Sequence, residues 1–181
     1  MKFLQKTKKS LGQNFLIDNN IINKIVEIGN ITKNNSVMEI GPGYGNLTKA
    51  IFAMKPKKIL AIEKDKKLYC ILKEKFKNHR NIKIINRDAL NIIQKNNLES
   101  NVIVFGNLPY NISTKILATL ILLNKWPPWY ETLILMFQKE VAERILAKTK
   151  TKEFGRLSVL CNWRLKIKKH FHVSANCFFP K

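Results

Sequence analysis

A chain of 181 residues, 45% of them hydrophobic, is long enough for one domain with a sizeable core. Lys and Arg number 33 against 12 Asp and Glu, a formal charge of +21 that favours an anionic partner, nucleic acid foremost. The longest apolar runs, Val102 to Phe105 and Leu117 to Leu123, fall far short of the ~20 residues that span a bilayer, and three scattered cysteines (Cys70, Cys161, Cys177) make neither a disulfide framework nor a zinc knuckle. A cytoplasmic location, no membrane and no metal are therefore expected.

Residues 1–17 read as a basic leader, carrying Lys2, Lys6, Lys8 and Lys9, and residues 18–181 as one domain. Asp18 is placed to cap a helix running through Ile21, Ile22, Ile25, Val26 and Ile28. Ser36 to Ile40 reads as a strand, Gly41 to Gly45 as a tight loop and Asn46 to Ala53 as a helix. A strand from Lys58 ends at Glu63, a helix follows over Lys66 to Lys77, and a strand over Ile82 to Ile85 leads to Asp88. Val102 to Phe105 is a fourth strand, ending at Gly106-Asn107; Ser113 is placed to cap a helix to Leu123. The aromatic loop Trp126 to Tyr130 is expected to pack its rings against the sheet edge. Thr132 to Phe137 gives a fifth strand, Lys139 to Lys148 and Phe154 to Trp163 two helices, and Leu165 to Val173 a sixth strand. Short strands that are apolar throughout, alternating with helices, specify an α/β fold with a doubly wound, mostly parallel sheet covered on both faces.

In such a sheet ligands bind beyond the carboxyl ends of the strands. Four strand ends carry suggestive residues: Glu39 with Gly41, Gly43 and Gly45; Glu63; Asp88; and Asn107. The three acids stand at intervals of 24 and 25 residues. An acid in front of the glycines repels a diphosphate and suits a cationic amine. Glu63 offers two oxygens to a ribose diol, and Asp88 an acceptor to an adenine amine. The sum describes an adenosyl ligand with an amino-acid arm, which S-adenosylmethionine fits best; NAD is the chemical competitor. Asn107-Leu108-Pro109-Tyr110 adds an amide acceptor, a stiff turn and a ring that stacks on a planar base.

These residues, with Gln13-Asn-Phe-Leu16, Glu39-Ile-Gly-Pro-Gly-Tyr-Gly-Asn-Leu-Thr48, Met136-Phe-Gln-Lys-Glu-Val-Ala-Glu-Arg144, Gly155-Arg-Leu-Ser158 and Phe178-Phe-Pro180, resemble the ribosomal RNA adenine dimethyltransferase family over essentially the whole chain, its bacterial small-subunit branch in particular. The resemblance implies a Rossmann-like fold that uses S-adenosylmethionine to dimethylate N6 of two adjacent adenosines near the 3′ end of 16S ribosomal RNA, in an immature small subunit, by a monomer. It implies that Gln13, Asn14 and Leu16 lie over the methionine end of the cofactor, with Gly41 and Gly43 beneath it, Glu63 on the ribose, and Asp88 with the Ala89 backbone on the adenine. Asn107, Leu108, Pro109 and Tyr110 surround the target base, and Phe178 covers its other face. Lys139 and Arg144 are expected on RNA phosphates.

The sequence departs from the family in two places. Lys64 stands where an apolar residue usually packs on the cofactor adenine; its aliphatic stem is expected to cover the ring instead. The family's further strand and small helical domain after the Phe-x-Pro segment are missing, so a truncated form is expected. The alternatives are methylation of large-subunit RNA, an RNA-binding accessory protein without catalysis, and a DNA adenine methylase.

Overall fold

The computed structural model describes residues 14–95 and 98–180. Strand β1 (Phe15–Leu16) pairs antiparallel with β7 (Phe178–Phe179), joining the two ends of the described chain. Between them lie five strands, β2 (Ser36–Ile40), β3 (Lys58–Glu63), β4 (Ile82–Asn86), β5 (Val102–Asn107) and β6 (Tyr130–Met136). They form one sheet in the order β4-β3-β2-β5-β6, with every neighbouring pair parallel. The central β2 is buried along its whole length and β5 along all but its last residue, which is why both read as unbroken apolar runs.

Helices α1 (Asn19–Ile28), α2 (Asn46–Ala53) and α3 (Lys66–Lys75) cover one face, α1 and α2 against Val37, Ile59, Ile103 and Phe105, α3 against Ala61 and Ile84. Helices α4 (Ala89–Ile93) and α5 (Ser113–Ile121) cover the other face against Met38, Ile40, Ile62 and Val104; α6 (Lys139–Leu146) and α7 (Arg156–Arg164) extend that layer through Ile145 and Cys161. Three aspartates start helices by accepting from backbone N–H groups: Asp18 from Ile21 (3.0 Å), Asp65 from Lys67 (2.8 Å) and Asp88 from Leu90 (3.0 Å).

The doubly wound parallel architecture is as the sequence specifies, with four local corrections. The expected sixth strand over Leu165 to Val173 does not form: the segment joins no ladder among the described residues. Its alternating apolar residues explain both the expectation and the outcome, because Leu165 and Ile167 pack on one face of the sheet while Phe171 and Val173 pack on the other. Side-chain packing across the two layers holds it. Helix α4 has only five residues, too few to leave a periodic signal. Ser113 is not the cap of α5: Ile112 holds that position, and the Ser113 hydroxyl donates to the Tyr110 carbonyl (3.3 Å). The leader is anchored from residue 14 onward, by β1 pairing with β7, by Ile17 N–H donating to the Cys177 carbonyl (2.8 Å), and by Asn46 Nδ2 donating to the Leu16 carbonyl (3.0 Å).

The aromatic loop divides. Trp129 and Tyr130 pack inward and donate to the carbonyls of Ile93 (3.3 Å) and Leu120 (3.1 Å), whereas Trp126 stays exposed beside the Arg164 guanidinium. Among the described residues, no helix is long and apolar enough to cross a membrane and no cluster of three or more His, Cys, Asp or Glu residues could hold a metal ion.

Phe105 sits at the centre of the sheet with no exposed surface, its ring tip so close to Gly29 that a Cβ there would lie 2.6 Å from it. Truncating Phe105→Ala removes this contact and leaves a cavity, and is expected to cost about 3–5 kcal/mol. Urea unfolding checks it; an unchanged midpoint would contradict this account of the core.

Candidate functional site

The sheet winds outward in both directions from β2 and β5: α2 leaves β2 on one face, α5 leaves β5 on the other. The connections diverge there, and a cleft opens at the carboxyl ends of the strands. Its walls bring together most of the residues that the sequence singles out. Asn14 and Leu16 come from the β1 segment, Glu39, Gly41 and Gly43 from the end of β2, Glu63 and Lys64 from β3. Asp88 and Ala89 come from the start of α4, and Asn107, Leu108 and Pro109 from the end of β5.

The glycine loop is held from three sides. Gly43 has φ +59°, and a Cβ on it would lie 2.7 Å from the Phe15 ring, so only glycine allows β1 to close over the loop. The Gly43 N–H donates to Glu63 Oε2 (3.2 Å). On the far side, Lys75 Nζ donates to the Tyr44 carbonyl (2.7 Å), and burial depresses its pKa, with repulsion from Lys49 adding to the effect.

Glu63 is the hub of this end of the cleft. Its second oxygen accepts from the Asp65 N–H (2.8 Å), so one carboxylate ties the glycine loop to the turn that starts α3. Burial raises its pKa, and the backbone N–H groups pull it back. Each oxygen keeps a further lone pair for a ligand hydroxyl.

Glu39 is more extreme. It is 1% exposed, and its Oε2 has no hydrogen-bond partner. Burial pushes its pKa from 4.5 up to about 7; the Thr48 hydroxyl and Lys75 lower it, and Glu63 raises it. Thr48 Oγ is itself fully buried and faces Glu39 closely enough to lower its pKa, although the pair does not reach hydrogen-bond geometry.

Asp88 lies at the rim. Its Oδ1 caps α4, and its Oδ2 accepts from Lys64 Nζ (2.8 Å), an ion pair that holds its carboxyl below the usual carboxylate range. Lys64 is exposed and Asp88 partly so, and solvent screens the pair. Lys64 thus reaches across the cleft rim to Asp88.

The Asn107 amide is oriented by the leader: Nδ2 donates to the Asn14 carbonyl (2.7 Å), which leaves Oδ1 as the acceptor at the cleft. The turn after it packs against the glycine loop, a Cβ on Gly41 falling 3.7 Å from the Asn107 carbonyl oxygen and 3.9 Å from Pro109 Cδ. The Leu108 side chain is buried beneath, and Tyr110 is half-buried beside the cleft without lining it.

Three expected residues lie elsewhere. Phe178 is held in β7 opposite Leu16, with its ring partly buried against the core. Lys139 and Arg144 are exposed on α6, outside the cleft. Gln13 and Lys2, Lys6, Lys8 and Lys9 lie outside the described residues.

Sequence reasoning missed Thr48 and Lys75, because nothing in their spacing announces a role. It missed Ser158 also: fully buried, this hydroxyl donates to the Arg144 carbonyl (2.6 Å) and accepts from the Gly155 N–H (3.1 Å), latching α7 to α6.

Comparison with known proteins places the chain in a family. A family model described as ribosomal RNA adenine dimethylase matches residues 4–181. The chain is 50% identical over 176 residues to ribosomal RNA small subunit methyltransferase A of Pelagibacter ubique, covering 97% of this chain and 66% of that protein. The structure of a dimethyladenosine transferase from Plasmodium falciparum superposes with a TM-score of 0.69 at 30% identity, over 81% of this chain and 51% of that one. The structure of the 23S rRNA methyltransferase ErmE gives 0.65 at 29% identity, over 81% and 55%. The chain spans about two thirds of the length of the curated relatives it matches.

The buried Glu39 has a measurable signature in the free protein. With its pKa raised from 4.5 to about 7, the folded state holds a proton that the unfolded chain has lost in that window. The site therefore costs stability progressively as pH rises from 4.5 to above 7, to about 3 kcal/mol. Glu39→Gln keeps the shape and abolishes the titration. Its stability relative to wild type should rise by that amount between about pH 5 and pH 8 in urea melts; a difference that does not change with pH would contradict the assignment.

Proposed function

The chain belongs to the ribosomal RNA adenine dimethylase family, and on that premise we propose that it transfers methyl groups from S-adenosylmethionine to the exocyclic N6 of adenosine, twice per base. Its substrate in this reading is the pair of adjacent adenosines near the 3′ end of 16S ribosomal RNA, within an immature small subunit. The observation that carries the reading is the meeting, in one cleft, of three carboxylates from successive strand ends with the oriented amide of Asn107. Relatives named for the small subunit support the choice of RNA.

The carboxylates fit the parts of such a cofactor. The unpartnered, buried Glu39 oxygen suits an ammonium and offers a diphosphate no cationic partner. The remaining lone pairs of Glu63 suit the ribose hydroxyls, and Asp88 with the Ala89 backbone suits the adenine amine, the Lys64 stem lying along the ring. Bound there, S-adenosylmethionine supplies a methyl group already activated by its positive sulfur.

The work left to the protein is positional. Adenine N6 is a poor nucleophile because its lone pair is delocalised into the ring. Asn107 Oδ1 and the Leu108 carbonyl accept its hydrogens and favour a pyramidal nitrogen with its lone pair aimed at the methyl group. Because Asn14 fixes the amide in advance, no reorganisation is needed as charge develops. Pro109 stiffens the turn, and Tyr110 stacks on the extruded base, a contact worth ~1–3 kcal/mol. Lys139 and Arg144 take RNA phosphates, and Phe178, held in β7 beside Leu16, covers the other face of the target base.

Two measurements test this. Asn107→Ala should lower methyl transfer by a factor of about 10² or more, the scale of losing one preorganised donor or acceptor, while leaving the affinity for S-adenosylmethionine within about threefold; loss of both in equal measure would sink the assignment. RNA binding should weaken at least about tenfold between roughly 50 and 200 mM salt, and salt-insensitive binding would contradict a phosphate-led interface.

A further inference from the structure

Taking the cleft as an S-adenosylmethionine site, we propose that Glu39 exchanges a proton with solvent on each binding event: its carboxyl is protonated before the cofactor arrives, and it ionises when the cofactor's ammonium seats against it. One O–H bond breaks, the proton leaves to solvent, and the resulting carboxylate pairs with the incoming cation.

The surroundings of Glu39 require this. In the sheet its flanking partners are Ala61 on β3 and Phe105 on β5, which offer no polar contact. The charged groups that face it from the packed elements are Glu63 of β3, which opposes ionisation, and Lys75 of α3, which favours it. The Lys75 ammonium is engaged with the Tyr44 carbonyl, and its own charge is disfavoured by burial and by Lys49. The Thr48 hydroxyl of α2 lies near without a hydrogen bond. A carboxylate with 1% exposure, one orphaned oxygen and a second acid on the same face is under-compensated in the free protein. Its raised pKa, about 7, agrees with that geometry. An ammonium at the orphaned oxygen supplies the missing compensation and so expels the proton.

Titration calorimetry at about pH 6.5, in two buffers of different ionisation enthalpy, reads the proton count. S-Adenosylhomocysteine carries the ammonium without the sulfonium; 5′-methylthioadenosine keeps the adenine and ribose and lacks the amino-acid arm. Any proton taken or lost by Glu63 or Asp88 appears with both ligands and cancels in the difference. The expected result is release of more than about half a proton per site with S-adenosylhomocysteine beyond that with methylthioadenosine. The affinity for S-adenosylhomocysteine alone should weaken about tenfold from pH 8 to pH 6, and Glu39→Gln should abolish both differences. Equal proton counts for the two ligands would overturn the proposal even if the variant fails to fold. Failure of both ligands to bind would overturn the cofactor reading on which it rests.

Discussion

The candidate chemistry depends on the divergence of the chain at β2 and β5. These strands are hydrogen-bonded neighbours, yet their helices leave on opposite faces, so no connection covers the carboxyl ends between them. The residues after β2 become a loop that must approach a ligand with its backbone, and the residues after β5 become a turn that faces the same space. One buried carboxylate, Glu63, then fixes the loop by accepting from Gly43 and Asp65 at once. The β1 segment closes the arrangement from above: Phe15 packs against Gly43 and Asn14 orients Asn107, while pairing with β7 holds the segment in place. The glycine-loop side and the Asn107 side of the cleft are thus mechanically joined through residues far apart in sequence.

Charge is distributed in opposition to the composition. The chain carries +21, yet the cleft is lined by three of its 12 acids. The acids are spent where a cationic, hydroxyl-rich ligand fits, with Lys64 and Arg87 at the same cleft, and most of the remaining basic residues face outward, where a polyanion is the natural partner. The two signals, an anion-seeking exterior and a cation-seeking cleft, are hard to reconcile with an accessory RNA-binding role alone. Such a role has no need for a buried carboxylate with an unsatisfied oxygen.

Much of this was legible in the sequence. Glu39, Glu63, Asp88 and Asn107 each follow a short apolar run, and a parallel sheet aligns the ends of such runs, so their convergence followed from pattern alone. Length and packing limited the rest. Five residues at Ala89–Ile93 are too few for a helical period, and Leu165 to Val173 has a strand's alternation because it threads between two core clusters. The contacts of Thr48, Lys75 and Asn14 depend on how distant backbone segments meet, which no local spacing encodes.

The central claim is that this cleft presents adenosine N6 to an activated methyl group. The most direct test supplies the protein with S-adenosylmethionine labelled in its methyl group and purified immature small subunits, followed by digestion of the RNA and identification of the labelled nucleoside. The account predicts N6,N6-dimethyladenosine at two adjacent positions near the 3′ end of 16S RNA. Label in any base other than adenine, at any adenine atom other than N6, or in large-subunit RNA when both are offered, would contradict it.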